Sequence, residues 1–263
     1  MIIKKIWVKS ISPIPAKKIS EYVHGILVIE NFNIVKPFVL PLYANGSPTL
    51  LFQTVKGEIK GSSNHLTLFG QTVFPDTLTI KENFTLIAYF FKPFALYSLF
   101  GVSASELTDN PINMNLLAPS TTRELQEQLL NASSLDKMIS LLDDYIFSLI
   151  TKVKIESKFI QFSTSKIAEH PSKETLLNVQ QELFVTERTF QRMFEKNVGI
   201  PPNQYRRICQ FNTAFRQLQL RKFNKLTDIA FENGYADQSH YIRSFKEFTH
   251  ITPSEYLKFG SET

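Results

Sequence analysis

A chain of 263 residues suits one or two domains of ~100–200 residues and can bury roughly 70–75% of its unfolded surface. Apolar residues at 43% against charged ones at 20%, with 13 Pro and 9 Gly, exclude disorder, collagen and coiled coil as the main state. One cysteine, Cys209, excludes an internal disulfide and a cysteine-based zinc site, and the net charge of +5 sits at one end: residues 1–150 carry 12 basic and 12 acidic groups, residues 151–263 the other 17 and 12.

That division describes a neutral module joined to one able to meet a polyanion. The start, MIIKKIWVKSISPIPAKK, is basic but has no uninterrupted apolar stretch of signal-peptide length. The most apolar run, Leu86 to Phe91, stops at Lys92-Pro93, far short of the ~20 residues that span a bilayer. A soluble cytoplasmic protein without a membrane partner is expected.

The first ~110 residues read as short strands and turns. Phe38 to Tyr43 is an apolar run, Asn45-Gly46-Ser47-Pro48 a turn signal, and Thr49 to Val55 the next run. Lys56-Gly57-Glu58, Gly61-Ser62-Ser63-Asn64, Phe69-Gly70 and Pro75-Asp76 punctuate further short β-prone runs, and Asn83 to Phe91 is the longest of them. Closely spaced strands predict a barrel or sandwich. The period then changes. Leu135, Met138, Ile139, Leu142, Tyr145, Ile146 and Leu149 recur at three and four residues, one face of a helix with Ser133 or Ser134 as N-cap. From there the chain reads helical, with a joint at ~150–172 holding Lys152, Lys154, Lys158 and His170-Pro171. The expected division is 1–130 β-rich, 131–172 a helical linker and 173–263 a helical domain.

Thr175 to Tyr205 and Leu226 to Tyr256 share one grammar. A short helix, Leu176 to Leu183 or Leu226 to Asn233, meets a tight connection, Phe184-Val185 or Gly234-Tyr235-Ala236. A longer helix comes next, Thr186 to Lys196 or Asp237 to Phe248, and then a proline that begins another, Pro201-Pro202 or Pro253. This is the helix-turn-helix plan, written twice. Thr186 and Asp237 are suited to cap the second helices. Phe190, Met193 and Phe194 in one copy, and Tyr241, Phe245 and Phe248 in the other, fall on a buried face. Arg188, Gln191 and Arg192, and then Gln238, Ser239, His240 and Arg243, stay outward, where Arg and Gln can grip guanine or adenine edges.

Ile229 to Lys246, with Thr252-Pro253 and Tyr256, resembles the signature of the AraC/XylS family of bacterial transcription regulators. Thr186, Arg188, Phe190, Gln191, Arg192, Phe194, Gly199, Pro202 and Tyr205 match at the expected spacing. The resemblance covers about 175–260. It implies an α+β protein of more than one domain: a β-rich sensing or dimerisation domain, then an all-α domain of two helix-turn-helix units joined by a central helix, Pro202 to Leu220. Tyr89-Phe90-Phe91-Lys92-Pro93, Gly101-Val102-Ser103-Ala104 and Glu106-Leu107-Thr108 resemble the β-rich domain of some members. The implied partner is double-stranded DNA, read at two successive major-groove segments about 34 Å apart. RNA polymerase, an unidentified small-molecule effector and a second copy of the chain are partners the resemblance leaves open. The chain departs from the family at Gln180 (usually alanine), Phe184 and His250 (usually glycine) and Pro201 (usually Ser or Thr).

The histidines His24, His65, His170, His240 and His250 show no metal-ligand spacing, so neither a metal nor a cofactor is expected. Cys209 falls on the central helix as a small apolar residue, not a nucleophile. No phosphate-binding loop, dinucleotide fingerprint or nucleophile elbow appears, and the protein is not expected to be an enzyme. Two rivals are a constitutive DNA-binding protein whose first domain only dimerises, and an enzyme with secondary DNA binding.

Overall fold

The structure, a computed structural model, describes residues 9–153 and 158–261, with side chains as far as Lys258. The first eight residues of the basic N-terminal stretch, and Lys154 of the joint, lie outside the described residues. The strands are β1 (Lys9–Ile11), β2 (Val23–Asn31), β3 (Phe38–Leu42), β4 (Thr49–Ile59), β5 (Ser62–Phe69), β6 (Asp76–Ile80), β7 (Phe84–Phe91) and β8 (Ile112–Asn113). They form one antiparallel sheet in the order β1-β2-β7-β4-β5-β8. A ribbon of β3 and β6 joins it where Glu58 pairs with Thr79.

Alternation along the strands sorts the side chains onto two faces. Leu86 and Ala88 of β7 pack with Ile29, Leu51 and the ribbon residues Leu40, Leu78 and Ile80. Ile87, Tyr89 and Phe91 point the other way and pack with Val28, Leu50 and Phe52 in a core shared with the helices. With both faces covered, β7 is buried at every residue but Phe90, which explains its continuous apolar sequence.

The helices are α1 (Ala95–Phe100), α2 (Met114–Leu117), α3 (Pro119–Leu130), α4 (Leu135–Ile150), α5 (Lys158–Glu169), α6 (Lys173–Glu182), α7 (Glu187–Asn197), α8 (Pro202–Gln219), α9 (Leu226–Glu232), α10 (Gln238–Thr249) and α11 (Pro253–Ser261). A 3-10 turn spans Ala104–Leu107. The strand-rich region followed by helices is the expected fold class. Helices α1, α2 and α3 go beyond the strand-and-turn reading: the first two are too short to show a period, and α3 is mostly polar on its open side. Ser134 is the N-cap of α4 and accepts from the Lys137 amide at 3.2 Å.

The sheet and α4 are tied by a buried hydroxyl. Tyr89 Oη donates to Asp143 Oδ1 at 2.7 Å, and burial pushes the Asp143 carboxyl above the usual carboxylate range. Among the described residues no helix is long and apolar enough to cross a membrane.

The sheet region also grips the helical region. Thr108 Oγ1 donates to the Gly199 carbonyl at 2.8 Å, just beyond α7. A Cβ on Gly199 would meet Thr108 Oγ1 at 2.7 Å and the Ala104 carbonyl oxygen at 2.8 Å, and its φ is +100°. Only glycine accepts that backbone and that approach. Lys196 Nζ lies 4.5 Å from the Tyr97 ring centroid, and Tyr43 meets Phe215 of α8 edge-on at 5.8 Å.

Candidate nucleic-acid interface

The first unit is α6 and α7. Ser172 caps α6 by accepting from the Thr175 amide at 3.0 Å, and Thr186 caps α7 by accepting from the Thr189 amide at 3.3 Å. Phe190 and Phe194 are buried edge to face, with centroids 4.9 Å apart, and Phe194 packs on Tyr205 of α8. Their burial fixes the rotation of α7, so Arg188, Gln191 and Arg192 are exposed. Gln191 Nε2 donates to Glu195 Oε1 at 2.9 Å, holding one end of the Gln191 amide along the helix.

The second unit is α9 and α10. Asp228 Oδ2 accepts from the Lys225 amide at 2.8 Å and the Asn224 amide at 3.2 Å, closing the start of α9. Gly234 turns the chain at φ 71°, and Asp237 caps α10 by accepting from the His240 amide at 2.6 Å. Tyr241, Phe245 and Phe248 are fully buried among Phe211, Phe215, Tyr235 and Tyr256. Ser239, His240 and Arg243 are exposed and Gln238 half-exposed on the outer side. The His240 ring stands edge-on to Tyr235, and its Nδ1 accepts a long 3.4 Å bond from the Ala236 amide.

Two of the positions that depart from the family, both usually glycine there, take a backbone that favours glycine. Phe184 takes φ 51° and His250 φ 63°, both left-handed. Pro201 is the N-cap of α8 without a side-chain bond, and Pro202 occupies the first turn, where a missing amide costs nothing. Gln180 is half-buried.

Helices α7 and α10 both pack on α8, whose 18 residues make a spacer of about 27 Å. Cys209 on α8 is buried, and burial pushes its thiol up to about 11, so it stays a neutral packing group near pH 7. His24 bonds Ser47 and His65 bonds the Gln53 carbonyl, both in the sheet region. Among the described residues no three His, Cys, Asp or Glu side chains gather as metal ligands would.

Sequence reasoning misses the polar groups behind these helices. Arg207 of α8 pairs with Glu247 of α10 and lies over Phe248. Arg206 and Gln210, one helical turn apart, are buried and bonded to both units. Their i, i+4 spacing is visible in the chain, but nothing in the pattern marks an arginine as buried.

The helix-turn-helix domain family matches residues 180–258, and a domain of unknown function (DUF6597) matches residues 12–113. The HTH-type transcriptional activator AarP of Providencia stuartii is 30% identical over 115 residues, covering 40% of this chain and 82% of that protein. The chain belongs to the AraC/XylS family of transcription regulators. Residues 180–258 carry the helix-turn-helix domain of that family.

An uncharacterized HTH-type transcriptional regulator of Haemophilus influenzae is 24% identical over 166 residues, covering 58% of this chain and 54% of that one. The chain thus matches about half the length of that relative, and 35% of the regulator YbfP of Bacillus subtilis, at 29% identity. Among solved structures, ToxT from Vibrio cholerae O395 is similar at 13% identity and a TM-score of 0.49, covering 98% of this chain and 99% of that one.

Proposed function

We propose that this regulator reads its operator with two recognition helices, α7 and α10, entering successive major-groove segments on one DNA face. The observation that carries the reading is the shared arrangement of those helices. Each is capped by an oxygen side chain at its N-terminus, each buries an aromatic face, and each leaves Arg, Gln, Ser or His open near its front end. Arg188, Gln191 and Arg192, with Gln238, Ser239, His240 and Arg243, are the groups that meet DNA in this reading. Helix N-termini and basic groups grip phosphates and set register, while the arginine and amide side chains choose bases.

We take 1–130 as the sensing or dimerisation domain, 131–172 as the helical connection and 173–263 as the DNA-binding domain, in a cytoplasmic protein without enzymatic activity. Contacts from Thr108, Ala104 and Tyr97 to Gly199 and Lys196 support a regulatory route. An effector or a second copy acting on the sheet region would reach α7 through its C-terminal end, away from Arg188.

The test uses fragments selected from random DNA by the purified full-length chain. Arg243→Ala removes a bidentate donor while Tyr241 and Phe245 keep the core face of α10. It should stay folded, lose ~1–3 kcal/mol on the preferred site and lose discrimination at one base pair. Equal loss on all single-base variants of the site would make Arg243 a phosphate anchor, and no loss would remove it from the interface.

A further inference from the structure

Arg206 and Gln210 lie on the central helix α8, and they connect the two units by a continuous hydrogen-bonded path. Arg206 is 8% exposed and Gln210 6% exposed. Arg206 Nη1 donates to the Pro171 carbonyl at 3.3 Å and to Gln210 Oε1 at 3.0 Å, and its Nε donates to Asn203 Oδ1 at 3.1 Å. Gln210 Nε2 then donates to the Asn233 carbonyl at 2.9 Å and the Gly234 carbonyl at 3.0 Å. Pro171 immediately precedes Ser172, the cap of α6, so one end of the path holds the start of the first unit. Asn233 and Gly234 are the turn of the second, so the other end holds the point from which α10 departs.

All three acceptors of Arg206 are neutral, and it makes no ion pair among the described residues. Burial and the neighbouring Arg207 hold its guanidinium below the ordinary arginine range. A buried charge without a counter-charge is a poor source of stability, and apolar side chains of similar volume often serve as well or better. Directional bonds do something apolar packing does not. They admit one distance and one angle, whereas packed rings on either side tolerate small rotations. Aromatic packing accompanies these bonds, Phe194 on Tyr205 at one end and Phe245 and Phe248 on Phe211 at the other. Helix α8 makes further directional bonds to the second unit, between Arg207 and Glu247 and between Gln217 and both Glu232 and Asn233, but those bonds do not reach the first unit.

We propose that Arg206 and Gln210 are positioning residues that set the separation and relative rotation of the two recognition helices, and with it the operator spacing the protein accepts. The proposal rests on the two-groove reading above. One added base pair moves the second segment by about 3.4 Å and turns it by about a tenth of a helical turn, so a rigid pair of helices cannot meet both segments at once.

The experiment uses the full-length chain with the selected operator, single-base variants in each segment, and versions with one base pair inserted or deleted between the segments. Wild type should lose at least ~10-fold in affinity on either spacing variant, since it must bend or twist the DNA or give up contacts. Arg206→Met and Gln210→Leu, confirmed folded by thermal unfolding, should narrow that loss to a few-fold while leaving single-base discrimination intact. Gln210→Leu carries the same expectation if Arg206→Met does not fold. Cys209→Ala, a neighbouring buried truncation on α8, should keep full spacing selectivity. If the two variants keep the wild-type spacing penalty, the positioning role is wrong. Equal loss of selectivity in Cys209→Ala would also overturn it, since general softening of α8 would then suffice. If wild type is indifferent to base changes in the second segment, the two-groove reading falls, and this proposal with it.

Discussion

The two helix-turn-helix units are written in one grammar but are held in place differently. The second is supported from within: Gly234 makes its turn, Asp237 caps its recognition helix at 2.6 Å, and the rings around Phe245 fill its core. The first takes the same left-handed turn with Phe184, 97% exposed, so its turn contributes no packing. Beside its own buried Phe190–Phe194 pair it takes support from outside, through Gly199 against Thr108 and Ala104 and through Lys196 over Tyr97. A unit stabilised by its own core keeps its geometry whatever its neighbours do. A unit that leans on another domain can be moved by that domain, which supports the regulatory route proposed for α7.

The largest effect should come from the internal core. Phe245→Ala removes a fully buried ring from the aromatic cluster and should cost ~3–5 kcal/mol in denaturant unfolding, with loss of operator binding. A cost near 1 kcal/mol would mean that the second unit does not depend on its own core, and the contrast between the units would fail.

Next comes the interdomain contact. Gly199→Ala should cost about 2 kcal/mol or more, because a left-handed backbone and two contacts under 3 Å are both violated. Gly234→Ala should cost only ~1–2 kcal/mol, since the nearest atom to its Cβ, Gln210 Nε2, is 3.7 Å away and backbone strain acts alone. If Gly234→Ala proved the costlier of the two, the tight docking of the first unit would be wrong.

Lys196→Ala tests the same docking more gently. It removes a cation over the Tyr97 face and should lose ~0.5–1 kcal/mol. Its effect should vanish in a Tyr97→Leu background, which a double-mutant cycle on unfolding free energies would show. Full additivity would mean the two side chains do not interact.

The smallest effect should be a gain. Phe184→Gly relieves left-handed strain at an exposed residue, offset by glycine's greater unfolded freedom, for a net gain of about 0.5 kcal/mol. A loss in the unfolding midpoint would show that the ring is covered in solution by something other than this chain's described residues.

Much of the interface is legible in the sequence because its determinants are local. Thr186 and Asp237 stand as caps by their place before an apolar period, and both accept the amide three residues on. Phe190, Phe194, Tyr241, Phe245 and Phe248 fall into the core by spacings of three and four, and all are buried. That same period leaves Arg188, Gln191, Arg192, Ser239, His240 and Arg243 outward. Helices α1 and α2 are not legible because one or two turns carry no period.

Local chemistry in the sequence therefore determined the strand-rich first part, the two repeated units, their caps and which faces of α7 and α10 are open. Tertiary structure alone decided what supports each unit. Gly199 meets Thr108 across 91 residues of chain, and Gln210 meets Gly234 across 24. Turns, caps and amphipathic faces are set by residues within one or two helical turns of each other. Contacts at such separations depend on how whole elements pack, and no pattern along the chain records which partner a buried arginine or a crowded glycine will find.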